Sequence, residues 1–223
     1  MSETTLIAVA HGTRSPAGRR QIQELAAAVA RRRPGLDVRL CYVDVQEPKV
    51  AEIVPAVRDA VVVPLLLSCG YHVRVDIAEA VAGTDIPVTA PLGPDDILLD
   101  SLRRNLPDAD AVVLAAAGSS DPLWLADVEG VAVRLGAAAV GYTSGSGPRV
   151  ADVVSRLREN GARTVAVAAY LLAEGLFYRT LRGCGADAVT PPLCHDPAVA
   201  DLVLRRFDSA VWDRKLTTAG RAL

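Results

Sequence analysis

The stretch LIAVAHGTRSPAG, Leu6 to Gly18, joins an apolar run to a turn and then to the start of a helical pattern. The apolar run predicts a strand, glycine and proline mark the turn, and the Arg- and Ala-rich residues after Pro16 predict a helix that extends to about Arg33. His11 is therefore expected at the carboxyl end of a strand. Open α/β sheets bind their ligands at that end.

The same strand–helix order recurs along the first hundred residues. Strand-like runs at TLIAVA, DVRLCYVDV, AVVVPLLL and IPVTAPL alternate with helical patterns, the last of which is DDILLDSLRRNL. Such alternation is typical of a parallel sheet with helical crossovers. We predict an α/β fold in which each sheet has about four strands and flanking helices.

The second half of the chain repeats the first. IAVAHGTRSP corresponds to VLAAAGSSDP, YVDVQEPKVAEIV to YTSGSGPRVADVV, and TAPLGPDDILLDSLRRNL to TPPLCHDPAVADLVLRRF. A period of about a hundred residues exceeds the roughly 20–50 residues of solenoid repeats and indicates a duplicated domain. We predict domains at 1–106 and 107–223 that face each other across a cleft at the carboxyl ends of their sheets.

Three residues with chemical capability occur in the first half and are lost in the second. In the second half, Ala117 stands in place of His11, Phe177 in place of His72 and Gly147 in place of Glu47. Packing gives no reason for two histidines to be replaced together, whereas a chemical role confined to the first half does.

Composition excludes several classes of function. The net charge of −2 gives no reason to expect nucleic acid or an anionic membrane as a partner. No segment reaches the roughly 18 apolar residues of a membrane span, and the start MSETT lacks the basic region of a secretory signal. We expect a cytoplasmic monomer. Its four cysteines lack CxxC spacing and suit buried packing positions, although an iron–sulfur role for Cys184 and Cys194 stays open.

Two motifs carry a resemblance to a known family. His11-Gly12-Thr13-Arg14 follows the first strand, and the run from Pro64 through His72 continues into Asp76-Ile77. Together they resemble the class II chelatases of tetrapyrrole synthesis, and most closely the long, two-domain sirohydrochlorin chelatases, which insert cobalt or ferrous iron into sirohydrochlorin. The resemblance spans nearly the whole chain. It implies a chelatase-like domain carrying the metal ligands and a duplicated domain that has lost them.

The resemblance also implies roles for individual residues. His11 and His72 would bind the metal and accept protons, with Glu47 as a third ligand or proton conduit; the metal is a substrate, and no permanent cofactor is expected. Sirohydrochlorin carries several carboxylates, so cationic and hydrogen-bonding groups should surround it, and apolar side chains should meet the macrocycle. The residues expected to bind it are Thr13, Arg14, Ser15, Lys49, Tyr71, Arg74 and Phe177.

Two other classes of function compete with this interpretation. A metal or tetrapyrrole carrier of the same fold would need the same ligands without catalysing insertion. Histidine-type phosphatases also place their nucleophile in a His-Gly turn, but they have arginine directly before the histidine, where this chain has Ala10. The cellular metal, whether iron, cobalt or nickel, and a role for His195 are left open by the sequence.

Overall fold

The apolar run that opens the chain forms the central strand of a parallel sheet. The computed structural model describes residues 4–68 and 70–220, with the backbone alone at 71–74 and 217–220. Every residue of the first strand is buried, and the strand order is β2-β1-β3. The strands are β1 (Thr5–Ala10), β2 (Val38–Tyr42) and β3 (Ala60–Pro64).

Three helices follow these strands in turn. They are α1 (Pro16–Arg32), α2 (Val50–Ile53) and α3 (Tyr71–Val81). Helix α1 begins where predicted because Ser15 caps it and Pro16 occupies its first turn. Helix α3 begins five residues before the DIAEAVA segment that the helical pattern marked, so position 72 lies inside a helix rather than in a loop.

The fourth predicted strand of the first half, IPVTAPL, is reduced to an isolated bridge. Only Val62 and Val88 pair there, through the Val62 N–H to the Pro87 carbonyl and the Thr89 N–H to the Val62 carbonyl, each 2.9 Å long. Proline has no N–H to donate to a ladder, and Pro87 and Pro91 lie on either side of the bridge. The first sheet therefore has three strands where about four were predicted.

The second half builds a four-stranded parallel sheet in the order β5-β4-β6-β7. Its strands are β4 (Ala111–Ala116), β5 (Ala139–Tyr142), β6 (Val165–Ala169) and the two-residue β7 (Ala188–Val189). The helices between them are α5 (Pro122–Leu135), α6 (Val150–Glu159) and α7 (Leu176–Thr180). Two parallel sheets with flanking helices confirm the predicted fold class.

The sequence repeat extends to individual hydrogen bonds. The Asp44 N–H donates to the His11 carbonyl at 2.9 Å, and the Ser144 N–H donates to the Ala117 carbonyl at 2.8 Å. In both halves the third strand leads into a helix capped by glycine, and the two helices begin at corresponding positions. The backbone thus supports the pairing of His11 with Ala117 and of position 72 with position 177.

Packing divides the chain differently from the sequence repeat. The first unit consists of Met1–Gly93 with Pro197–Leu223, and the second unit is Pro94–Asp196. The helix that ends each repeat belongs to the other unit: α4 (Asp96–Asn105) packs against α5, and α8 (Ala198–Gly220) packs against α1 and β3. The predicted domains, 1–106 and 107–223, correspond to the two sequence repeats. The packing units differ from them because each terminal helix is grouped with the sheet against which it packs.

Each unit has its own core of small aliphatic side chains. In the first unit Ile7, Val9 and Val62 are fully buried, and in the second Val113 and Val167 are fully buried. Within the described part of the chain, no helix is long and apolar enough to cross a membrane.

Candidate functional site

Two loops meet at the carboxyl end of the first sheet. The loop after β1 carries His11, which is exposed, and the loop after β2 runs from Val43 to Lys49. The backbones are close because Gly12, at φ +100°, leaves space for the second loop: a Cβ there would stand 2.0 Å from the Asp44 carbonyl oxygen. Only glycine combines that φ with so close an approach.

A cleft of about 600 Å³ opens beside these loops, entirely within the first unit. Helix α3 supplies the opposite part of its lining. The lining residues are His11, Val43, Asp44, Lys49, Val50, Ala51, Asp76, Glu79 and Ala80. The cleft therefore lies where the sequence predicted a ligand site, with His11 on its wall.

Among the lining residues that the structure describes, the charged ones are mainly acidic. Asp44, Asp76 and Glu79 contribute three carboxylates, and Lys49 contributes one ammonium group. The Lys49 Nζ lies 3.9 Å from both Asp44 Oδ1 and Glu47 Oε1, beyond hydrogen-bond distance, so it offsets part of that charge without a tight pair. A surplus of negative charge beside an imidazole favours a divalent cation.

The predicted metal ligands are only partly described. His11 lines the cleft, whereas the Glu47 side chain is 67% exposed and lies outside that lining. His72 belongs to α3, but its side chain, like those of Tyr71 and Arg74, falls outside the described residues. Among the side chains that are described, no three histidine, cysteine, aspartate or glutamate groups come together to hold a metal.

The remaining predicted substrate-binding residues of the first unit have different surroundings. Arg14 is exposed, and the Thr13 hydroxyl accepts the Ser15 N–H at 3.1 Å. Ser15 is 6% exposed, and its Oγ accepts the Gly18 N–H at the start of α1. Capping the helix accounts for Ser15 without a ligand.

No cysteine is among the described residues that line this cleft. Cys41 is fully buried in β2, and burial raises the pKa of its thiol to about 12, so the thiol stays protonated near neutrality. Cys184 is buried and Cys194 half-buried, and neither forms a disulfide. Cys69 lies outside the described residues.

The corresponding loops of the second unit cannot form the same site. Ala117 replaces the histidine, and at Gly147 a Cβ would stand 2.3 Å from the Tyr142 ring, so the ring occupies the space that a glutamate would need. Phe177 is 40% exposed and Leu176 65% exposed at the start of α7. Apolar surface thus replaces ligating groups in this half.

Comparison with known proteins agrees with the duplication. The family model described as CbiX matches residues 5–109 and, a second time, residues 111–210. The chain belongs to the CbiX family. Both repeats carry the family pattern, including the one that has Ala117 and Phe177 in place of His11 and His72.

Named relatives of this CbiX-family chain are chelatases. A sirohydrochlorin cobaltochelatase of Methanococcoides burtonii is 29% identical over 115 residues, which is 43% of this chain and 88% of that protein. One of Methanosarcina barkeri is 23% identical over 123 residues, 47% of this chain and 95% of its own. Each archaeal protein therefore matches about one repeat.

Solved structures share the whole fold. SirB from Bacillus subtilis with Fe³⁺ superposes with a TM-score of 0.72 at 22% identity, covering 92% of this chain and 94% of SirB. CbiX described as the terminal enzyme for siroheme biosynthesis in denitrifying bacteria gives 0.67 at 21% identity, covering 92% and 99%. At these identities the likeness establishes the fold.

Sequence reasoning missed several groups that the CbiX-family structure brings to the cleft. Asp44 and Glu79 line it, and Gln46 bonds across the two loops beside it, yet none of the three was predicted as a site residue. A signal was available for Asp44 and Gln46, because their counterparts in the repeat are Ser144 and Ser146. The carboxylate and the amide at these positions, like the histidines at positions 11 and 72, have no counterpart in the second half.

Proposed function

We propose that this protein inserts a divalent metal, Fe²⁺ or Co²⁺, into sirohydrochlorin. One observation carries the proposal: a CbiX-family chain places its exposed His11 on the wall of an acidic cleft at the carboxyl end of the sheet. The named relatives that match are sirohydrochlorin cobaltochelatases, and the solved structures include SirB with iron and with cobalt.

The proposed ligands are His11, His72 and Glu47. Position 72 lies four residues before Asp76 and seven before Glu79 on α3, and both of those residues line the cleft. Positions four and seven apart share one face of a helix, and this spacing supports the assignment of position 72 to the site. Glu47 follows Gln46 in the loop that approaches His11, and this position supports its assignment as a ligand.

The chemistry follows from the ligand types. Neutral imidazole binds iron and cobalt well, and the ion must be held loosely because it leaves with the product. Insertion forms four metal–nitrogen bonds and releases two pyrrole N–H protons, so two protons must be accepted for each ion inserted. Histidine and glutamate can take protons near neutral pH and pass them to water.

Substrate binding is assigned to residues around the same loops. We assign Thr13, Arg14, Lys49 and Arg74 to the carboxylates of sirohydrochlorin, and Tyr71 with Phe177 to its macrocycle. The exposed apolar surface at Leu176 and Phe177 supports the second assignment. Ser15 serves the cap of α1 instead.

The alternative, a carrier of metal or tetrapyrrole, is separated from an enzyme by turnover. Sirohydrochlorin in large excess over protein is mixed with Co²⁺ or Fe²⁺, and the absorbance change of metallation is followed against a protein-free control. An enzyme yields many equivalents of product per chain at a rate proportional to protein concentration. A change that stops at one equivalent per chain would support a carrier and overturn the proposed activity.

A further inference from the structure

The side chain of Gln46 joins the two loops that border the cleft. The Thr13 N–H donates to Gln46 Oε1 at 2.8 Å, across 33 residues of sequence. Gln46 also lies close to Tyr42, a residue only 3% exposed at the end of β2; burial raises the pKa of Tyr42, and the Gln46 side chain opposes that rise. The Gln46 side chain therefore ties the backbone of the first loop to the second loop.

The backbone that presents Gln46 is strained. Val45 has φ +63°, and the Gln46 N–H bonds back to the Asp44 carbonyl at 2.7 Å, which together describe the positive-φ form of the γ-turn. A β-branched residue rarely adopts this conformation, and such strain persists where surrounding contacts fix it. The Asp44 side chain adds one such contact, because its Oδ1 accepts the Val45 N–H at 2.7 Å.

The second unit shows that the loop pair folds without these features. There the positive φ belongs to Gly145, at +78°, and Ser146 stands where Gln46 stands. The loops still meet, since a Cβ at Gly118 would lie 2.2 Å from the Ser144 carbonyl oxygen. Gln46 and the strained Val45 are therefore not required for the approach of the loops, and they occur in the half that carries His11.

We propose that Gln46 is a positioning residue for metal insertion, holding the His11 loop and the Glu47 loop at a fixed separation. Thr13 follows His11 by two residues and Gln46 directly precedes Glu47, so one hydrogen bond spans the two loops next to both proposed ligands. The inference rests on the proposed function, because it concerns the ligands of the inserted metal. Ligands held in place by a surrounding hydrogen bond lose less freedom when they bind an ion.

Two substitutions separate positioning from folding. Gln46→Ser installs the residue that the second unit carries in a folded loop and removes the bond to Thr13. Gln46→Glu keeps an oxygen acceptor for the Thr13 N–H, and the Tyr42 hydroxyl can donate to it. Ser146→Ala, at the corresponding exposed position of the second unit, is the matched control.

Co²⁺ affinity is measured by calorimetry without sirohydrochlorin, and insertion kinetics are measured separately. Gln46→Ser should weaken Co²⁺ binding about tenfold and lower kcat by a similar factor. Losses of about this size are usual when a hydrogen bond that orients metal ligands is removed. The KM for sirohydrochlorin should change less than kcat, since Gln46 itself is not among the described residues that line the cleft. Gln46→Glu should recover most of the affinity, and Ser146→Ala should match the wild type.

Wild-type Co²⁺ affinity and kcat in Gln46→Ser would overturn the inference, as would a Gln46→Glu variant that is as impaired as Gln46→Ser. A wild-type protein that binds Co²⁺ without inserting it would instead overturn the proposed function. In that case the affinity comparison still decides whether Gln46 positions the ligands.

Discussion

Gly12 and Asp44 show how single residues build the cleft. The Asp44 carbonyl approaches the Gly12 Cα so closely that no Cβ fits between them, and the φ of +100° at Gly12 disfavours any side chain. Gly118 repeats the arrangement in the second unit, at φ +103°. Gly83, at φ +76°, has a similarly unusual backbone but open space around it.

Substitution of these glycines by alanine should separate backbone strain from steric conflict. We expect Gly83→Ala to cost roughly 1–2 kcal/mol of unfolding free energy, the penalty of a left-handed backbone alone. Gly12→Ala and Gly118→Ala should each cost at least about 3 kcal/mol, because loop displacement adds to that penalty. Urea unfolding measures all three, and equal losses at positions 12 and 83 would contradict the described approach of the loops.

Single residues also mark the limit of sequence reasoning. The position of His11 at a strand end could be predicted, because apolar runs and glycines are visible in sequence. Gln46 could not, since its partner is the backbone N–H of Thr13, and a backbone group leaves no residue pattern. Glu47 was predicted as a ligand from the resemblance, and that role stays a prediction.

Among the elements, helix α8 differs most from its position in the sequence. It ends the second repeat but packs in the first unit, against α1 and β3. Phe207 of α8 is 4% exposed and lies 6.0 Å below the Arg33 guanidinium. The neighbouring Asp208 pairs with that guanidinium at the surface, where both side chains are more than a third exposed.

These neighbours should differ widely in their contribution to stability. Phe207→Ala should lower the free energy of unfolding by about 3–5 kcal/mol, because it removes a buried aromatic ring of α8 and leaves a cavity. Asp208→Ala should change it by less than about 1 kcal/mol, since exposed ion pairs are screened by solvent. Thermal and urea unfolding measure both variants. A small loss for Phe207→Ala would contradict the packing of α8 in the first unit.

Strands and helices could be predicted from sequence where their signals are local. Strand β1 and helix α1 were placed to within a residue or two, because apolar runs, a cap and a proline define them. The prediction of a fourth strand in the first sheet was wrong, because Pro87 and Pro91 remove N–H donors from an otherwise strand-like run. The exchange of α4 and α8 between units depends on packing between distant segments and is invisible in a repeat.

The whole molecule is a duplicated domain in which the first half carries the proposed metal ligands. The two halves share backbone hydrogen bonds at corresponding loops, but the first has His11 at the strand end, on the wall of a cleft whose described charged lining is mainly acidic, where the second has Ala117. In the second, the Tyr142 ring fills the space beside Gly147. That both halves border one substrate cleft stays a prediction, as does a monomeric, cytoplasmic protein.

One divalent ion per chain is expected at the active site. Calorimetric titration with Co²⁺ should give a stoichiometry of one for the wild type, and His11→Ala should lose that binding. Ala117→His should gain none, because Gly147 and Phe177 supply no further ligands in that half. Two equivalent ions per wild-type chain would contradict the claim that one half alone binds the metal.

The initial rate of Co²⁺ insertion into sirohydrochlorin, compared between the wild type and His11→Ala, tests the central claim most directly. His11 is exposed at a loop, so its replacement should leave the melting temperature unchanged. The rate should fall at least about a hundredfold, because the substitution removes a metal ligand and a proton acceptor at the same time. Wild-type turnover in a correctly folded His11→Ala protein would contradict the assignment of metal insertion to this cleft.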